Sequence, residues 1–207
     1  QTYWPLNAAG HHNLVDSYLD YRFNALPHGQ KDAKELGADG VAVSDVCDRR
    51  GYNSQDLANH TPVAQIALEF WRQYRFTGDR EFLRNRAAPY IVEAAKFFES
   101  LFKKEDDGRY HAQCGLGYEG SVLLRDGVTE VSHALALFRT ALDAVKEAGL
   151  NEPRTERWRE MLESLVPLPV IEADDRAISQ RDGEWTVKRG MLKGREAFSN
   201  EIFAAGT

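Results

Sequence analysis

The chain has 207 residues, enough for one domain with a core of its own. Hydrophobic residues make up 43% and charged residues 28%, an ordinary globular balance. The net charge of -6 argues against nucleic acid or an acidic membrane as partner, and no apolar run approaches the ~20 residues of a membrane span.

Leu14 to Leu26 places Leu14, Val15, Tyr18, Leu19, Phe23 and Leu26 at helical spacing, with Pro27 and Gly29 ending the run. A short helix through Lys31 to Leu36 is expected to stop at Gly37, and Val41 to Asp48 has strand character. The clearest helix follows. Thr61 reads as its N-cap and Pro62 as its first helical residue, where a missing N–H costs nothing. Val63, Ile66, Ala67, Phe70, Trp71 and Tyr74 form its apolar stripe, and Gly78 stops it. Asp79 then caps a short helix with Phe82 and Leu83, and another helix is expected from about Pro89 to Phe102.

Glu105-Asp106-Asp107-Gly108 reads as a turn; the other ligands of a calcium loop are absent. The segment from Asp107 to Gly127 reads as a long loop, too long for an idle connection in a compact helical domain. It contains Gly115-Leu116-Gly117-Tyr118-Glu119-Gly120-Ser121, one carboxylate in a glycine-rich run. Glycines let backbone pass close to a ligand, and a Glu on such a loop suits a general acid. A solvated turn would look the same. A helix from about Thr129 to Ala148 follows, closed by Gly149, and Pro153 opens one with Trp158, Met161, Leu162 and Leu165. Beyond Pro167 the pattern breaks into short strand-like runs at Val170-Ile171 and Trp185-Thr186-Val187, with a hairpin turn at Asp182-Gly183. Phe198 to Ala205 begins another helix.

The chain is thus all-α, helix after helix, with a few short strands near its C-terminus. Residues 1–165 form the helical-hairpin portion and 166–207 an irregular continuation of the same domain. No repeat of a solenoid kind is visible. Cys47 and Cys114 have no metal-type spacing; both fall in loops assigned to one face, which leaves a disulfide open, but two free thiols are the first expectation. The chain starts at Gln1 rather than Met, so the start is expected upstream and the lack of a visible signal peptide says nothing of secretion.

Several of these segments together resemble glycoside hydrolase family 95. Tyr3-Trp4-Pro5 followed by Asn13-Leu14 resembles that family's "NYWPAE…NL". Thr61 to Phe76 with Thr77-Gly78-Asp79-Arg80-Glu81-Phe82-Leu83 is similar to its "AWLxxHxWEHYxFTGDxxFL", and Ala88-Pro89-Tyr90 through Phe97-Phe98 to its "AYPxxxxAAxFF". The resemblance runs from Gln1 to about Gly149. It implies an (α/α)6 toroid, a six-hairpin glycosidase, of which this chain carries roughly half. It also implies hydrolysis of terminal α-L-fucosyl or α-L-galactosyl residues with inversion.

The family's general acid is the Glu of "PSxSPE", and Glu119 takes that position, although Gly117-Tyr118 replaces Ser-Pro. An inverting enzyme sets two carboxyl groups ~6.5–9.5 Å apart so that a water fits. The resemblance places the base, and two assisting Asn residues, outside this chain. Tyr118 and Trp4 are candidates for the apolar neighbour that keeps the acid protonated. Glu130 could rival Glu119, but a helix N-terminus stabilises its charge, which is wrong for an acid.

Tyr3 and Trp4 either stack on a sugar or pack the inner wall. Asp45, Asp48 and Arg49 match the family's "HHNTDxWG" region; Asp48 falls on its Asp and is expected to touch a sugar hydroxyl, or else to form a surface ion pair. His11 and His12 could line the pocket, but neighbours in a helix diverge by about 100°, so they do not share a metal. His60 reads as a loop residue and His133 as a core-edge residue. The expected partner is an oligosaccharide or glycan, with no cofactor, no metal, no nucleic acid and no membrane. The apolar faces of a half toroid call for the remaining helices or for self-association. Family members suggest a periplasmic or extracellular location. The alternatives are a non-catalytic carbohydrate-binding toroid and another six-hairpin glycosidase.

Overall fold

The computed structural model describes residues 3–54, 57–113, 115–116, 123–168, 175–181 and 184–188, the last two by backbone alone. Glu119, Tyr118, Cys114, Val170-Ile171, Asp182-Gly183 and the expected helix from Phe198 lie outside them. Among the described residues the chain runs α1 (Trp4–Ala8), α2 (His12–Asn24), α3 (Leu26–Glu35), α4 (Thr61–Thr77), α5 (Arg80–Phe82) and α6 (Ala88–Ser100). Strands β1 (Phe102–Lys104), β2 (Tyr110–Ala112), β3 (Gly115–Leu116) and β4 (Leu123–Leu124) follow. Then come α7 (Val128–Ala148), α8 (Thr155–Ser164), β5 (Asp175–Arg181) and β6 (Glu184–Lys188).

Helices α4, α6 and α7 pack on one another and form the centre. Their facing stripes bury Phe70, Tyr90, Phe97, Phe98 and Phe138, and α8 adds Trp158 and Met161. Fully burying such a side chain contributes roughly 1.5–3 kcal/mol, so these aromatic contacts dominate the core. No helix among the described residues is long and apolar enough to cross a membrane.

The helix ends follow local chemistry. Gly78 and Gly149 close α4 and α7 in the left-handed conformation, at φ 67° and 69°. Asp79 caps α5 by accepting the amides of Glu81 and Phe82. Leu83–Ala87 then widens into π turns that lead without a break into α6.

Six expectations are corrected. Pro27 does not end a helix; it sits in the first turn of α3, where no N–H is needed. Gly29 lies inside α3 because Val41 and Ala42 cross it: a Cβ there would come within 2.5 Å of Val41 Cγ2, and Ala42 N donates to the Gly29 carbonyl at 3.0 Å. Residues 41–46 form no strand, and pairing is confined to a single Cys47–Asn53 bridge. The cap of α4 falls one residue earlier, at His60, and the amide of Thr61 is taken by Asn59 Oδ1 at 3.1 Å. Helix α6 ends at Ser100, so Phe102 is a strand residue. Where it is described, the region of the supposed long loop forms two antiparallel pairs, β1 with β2 around the acidic turn and β3 with β4. Trp185-Thr186-Val187 lies in β6, which pairs antiparallel with β5, a strand that the sequence did not announce.

Two glycines separate strain from crowding. Gly78 is left-handed but nothing lies within 4 Å of its would-be Cβ. Gly40 is left-handed too, at φ 81°, and a Cβ there would overlap the Glu93 carbonyl and lie 2.6 Å from Phe97 N. We expect Gly78→Ala to lower stability by about 1 kcal/mol and Gly40→Ala by about 3 kcal/mol, read from urea unfolding. Equal losses would show that Gly40 is not a close contact between the 38–44 segment and α6.

Candidate active site

The loop that precedes α4 and the strand pair that precedes α7 meet at one rim. Leu116 N, in β3, donates to the Ala58 carbonyl at 3.0 Å. Next to it, Asn59 Nδ2 donates to Asp45 Oδ2 at 2.8 Å. The strand leading into the glycine-rich segment is therefore pinned beside the loop that carries Asp45.

Asp45 lines a cleft of about 250 Å³ at this rim. Tyr3, Trp4 and Tyr18 form its aromatic wall, Pro62, Gln65 and Ile66 of α4 its floor, and Arg22 its cation. Tyr3 stacks on Tyr18 with ring centres 4.6 Å apart, and Trp4 remains 41% exposed with the Arg72 guanidinium over its ring. Arg72 also pairs with Glu69, which is buried on α4, and burial pushes the Glu69 carboxyl up. Burial likewise raises the Tyr18 hydroxyl, so it stays a neutral phenol. Aromatic faces with one carboxylate and one guanidinium are the groups that stack on a sugar ring and take its hydroxyls.

Of the expected site residues, Tyr3 and Trp4 are brought together in this cleft. Asp48 is not. Its Oδ1 accepts the amides of Arg50 (2.8 Å) and Tyr52 (3.0 Å), closing a turn, and its carbonyl accepts the Tyr21 hydroxyl. Arg49 is exposed on that turn, and His11 is exposed at the N-cap of α2; neither lines the cleft. His12 is tied to Asn7 through Nδ1. His60 is buried edge-on to Phe97, and His133 donates Nδ1–H to the Thr129 carbonyl. Arg22 was not anticipated. The signal was available: it lies one helical turn after Tyr18, on the apolar side of α2, where a charge needs a reason.

Beneath β3 lies Glu130, in the first turn of α7 and 1% exposed. The lead-in to that helix is fixed by Asp126, which takes φ 54° and holds His111 Nδ1 at 2.8 Å. The Glu130 carboxyl is wedged between two glycines: a Cβ on Gly115 would come within 2.5 Å of its Cδ, and one on Gly127 would overlap Oε2. Gly115 is therefore glycine because of Glu130, not because of a ligand. Among the described residues no other residue donates to either oxygen of Glu130, only its own amide favours the charge, and burial outweighs that and pushes the carboxyl up. The expectation that the helix end would hold this charge is overturned; desolvation outweighs the dipole when the group is sealed from water.

Over residues 1–178 the chain matches the family described as the glycosyl hydrolase family 95 catalytic domain. The chain belongs to glycosyl hydrolase family 95. It is 27% identical over 106 residues to the kojibiose hydrolase of Flavobacterium johnsoniae, covering 48% of this chain and 16% of that protein. It is 34% identical over 115 residues to an uncharacterized glycosyl hydrolase of Mycobacterium tuberculosis, covering 47% of this chain and 9% of that one. Against the 1,2-alpha-glucosylglycerol phosphorylase of Bacillus selenitireducens it is 26% identical over 198 residues, 80% of this chain and 26% of that protein. The chain thus spans between 9% and 26% of the length of the curated relatives it matches. In structure it superposes on a protein from human microbiome described as a kojibiose phosphorylase, with TM-score 0.67, 16% identity, 76% of this chain and 23% of that one. The helices are accordingly part of a six-hairpin toroid, in a domain of glycoside hydrolase or phosphorylase type.

Within this family 95 domain the state of Glu130 has a direct consequence for stability. Its folded pKa is raised, so the native state holds a proton that the unfolded chain releases above its ordinary carboxyl range. Stability from this group is fully present below the unfolded pKa and falls as pH rises towards the folded value. We expect Glu130→Gln to be more stable than wild type at pH 7, with the two converging near pH 4, in urea midpoints measured across that range. Parallel curves at all pH values would mean that Glu130 ionises freely in the folded protein.

Proposed function

We propose that the chain carries the general-acid side of a glycoside hydrolase site that cleaves terminal α-glycosidic bonds of oligosaccharides with inversion. Glu119 donates its proton to the glycosidic oxygen as the bond to the anomeric carbon breaks. A water attacks the opposite face of the sugar and gives its proton to a base, which the family resemblance places in the second half of the toroid. Trp4 and Tyr3 stack on the sugar, and Asp45 takes the hydroxyl contact first expected of Asp48. The supporting observation is the Leu116–Ala58 hydrogen bond, which anchors the strand three residues before Glu119 beside the Asp45 cleft.

The sugar is a second step of the reading. The family resemblance favours α-L-fucosyl or α-L-galactosyl termini, with export to the periplasm or outside. The names of the relatives, a kojibiose hydrolase and a 1,2-alpha-glucosylglycerol phosphorylase, favour other α-linked residues. The replacement of Ser-Pro by Gly117-Tyr118 before Glu119 supports one competing reading, a toroid that binds sugar without cleaving it.

The test assays the protein carrying this chain, wild type and Glu119→Gln, on 2′-fucosyllactose, kojibiose and aryl α-glycosides. We expect the substitution to slow the oligosaccharide that wild type cleaves by about 10²–10⁴-fold. The loss should be smaller on an activated aryl leaving group, which needs less protonation. Equal rates in both proteins would remove Glu119 from the mechanism, and sugar binding without turnover by either would favour the binding toroid.

A further inference from the structure

We propose that the cleft takes an oxyanion of its ligand, a carboxylate or a phosphate, on Arg22; this rests on the cleft being the sugar site argued above. Arg22 extends from α2 between the cleft, which it lines, and a small cavity that it shares with Cys47 and Tyr90, with its guanidinium 5.4 Å from the ring centre of Tyr18 and 5.2 Å from that of Tyr21. Among the described residues its acceptors are neutral groups, the Cys47 thiol at 3.3 Å and the Tyr18 hydroxyl, and its Nε is buried with no acceptor. Tyr18, Cys47 and Tyr90 are the groups packed closest on its charge, and no carboxylate among the described residues forms an ion pair with it.

Its neighbours in the fold are treated differently. Arg72 pairs with Glu69, Arg86 with Asp20, Arg154 with Asp39, and Arg157 with Glu160. A guanidinium cannot shed its proton, and a partly buried charge without a counter-charge is costly. A sulfhydryl is a weak acceptor and leaves most of the fork of donors unused. An oxyanion entering the cleft meets that fork and completes the pair, with bidentate geometry open to it.

The other cleft groups define what carries the oxyanion. Asp45 repels a second negative charge but accepts hydroxyls, and the Trp4 and Tyr3 faces accept a ring. One negative group on an otherwise hydroxylated, ring-shaped ligand fits all three. A sugar acid or a sugar phosphate has that chemistry, and inorganic phosphate beside a neutral sugar shares its anionic part.

Isothermal titration separates these sources, using methyl α-D-glucuronide, neutral methyl α-D-glucoside, L-fucose and inorganic phosphate. We expect an anion, either the glucuronide or phosphate, to bind at least about tenfold tighter than the neutral sugars. Arg22→Gln should erase that preference, and Arg22→Lys, which keeps the charge, should retain part of it. Tighter binding of the glucuronide than of phosphate assigns the anion to the sugar; the reverse assigns it to a free oxyanion. Neutral sugars bound as tightly as the anions, or a preference unchanged in Arg22→Gln, overturn the inference and leave the sugar site standing. Anion binding that appears only in Cys47→Ser also overturns it, since Cys47 Sγ would then occupy the guanidinium in the native protein. Arg22-dependent phosphate binding without binding of any sugar keeps the inference and overturns the sugar site. No binding of any ligand overturns both. If Arg22→Gln does not fold, the comparison of wild type with Arg22→Lys carries the test: identical anion preference in both, or none in either, overturns the inference.

Discussion

One aromatic ring sets the geometry on which the cleft depends. Phe70, fully buried on α4, faces Tyr90 of α6 at 4.6 Å, Phe82 of α5 at 6.0 Å and Phe23 of α2 at 6.4 Å. Four elements are thereby indexed to a single side chain. Offset aromatic pairs contribute about 0.5–1.5 kcal/mol each beyond their buried area, and they do so only at particular angles. Phe23 adjoins Arg22, so the contact that seats α2 against α4 also fixes the stretch of backbone from which Arg22 extends. The cleft floor comes from α4 and part of its wall from α2, and a shift at Phe70 would move both.

Much of this was legible in the chain. The exit of α4 reads directly from Gly78 and Asp79, because a left-handed stop and an Asp cap each have one local explanation. The stripes of α4, α6 and α7 were visible because their apolar spacing has one period. The errors have local causes too. Pro27 was taken as a terminator, but proline stops a helix only when its N–H would have been used, and the first turn uses none. The pairs β1–β2 and β3–β4 were missed because strands of two or three residues are too short to show alternation. Gly115 had a reason that no local pattern carries: the side chain it avoids, Glu130, is fifteen residues on.

The site was legible to a lesser degree. Tyr3 and Trp4 were found through their motif and do line the cleft. Asp48 was a matter of register. It lies three residues past Asp45 on the same loop, and which of two carboxylates closes the turn and which faces the cleft depends on backbone hydrogen bonds that the loop makes only when folded. The sequence places both charges on one loop and cannot orient them.

Three ionic groups near this rim show how differently a fold can treat buried charge. Glu69 keeps its partner, Arg72, on its own helix. Glu130 has none, and a carboxyl in that position has an exit: it takes up a proton and becomes neutral, at a cost set only by the distance between its raised pKa and ambient pH. Arg22 has no such exit, because no accessible pH removes its proton. The same lack of a partner is therefore tolerable for the acid and not for the base. A fold that leaves a guanidinium half-satisfied must recover that energy from something else, and Arg22 is the one of the three that lines open space.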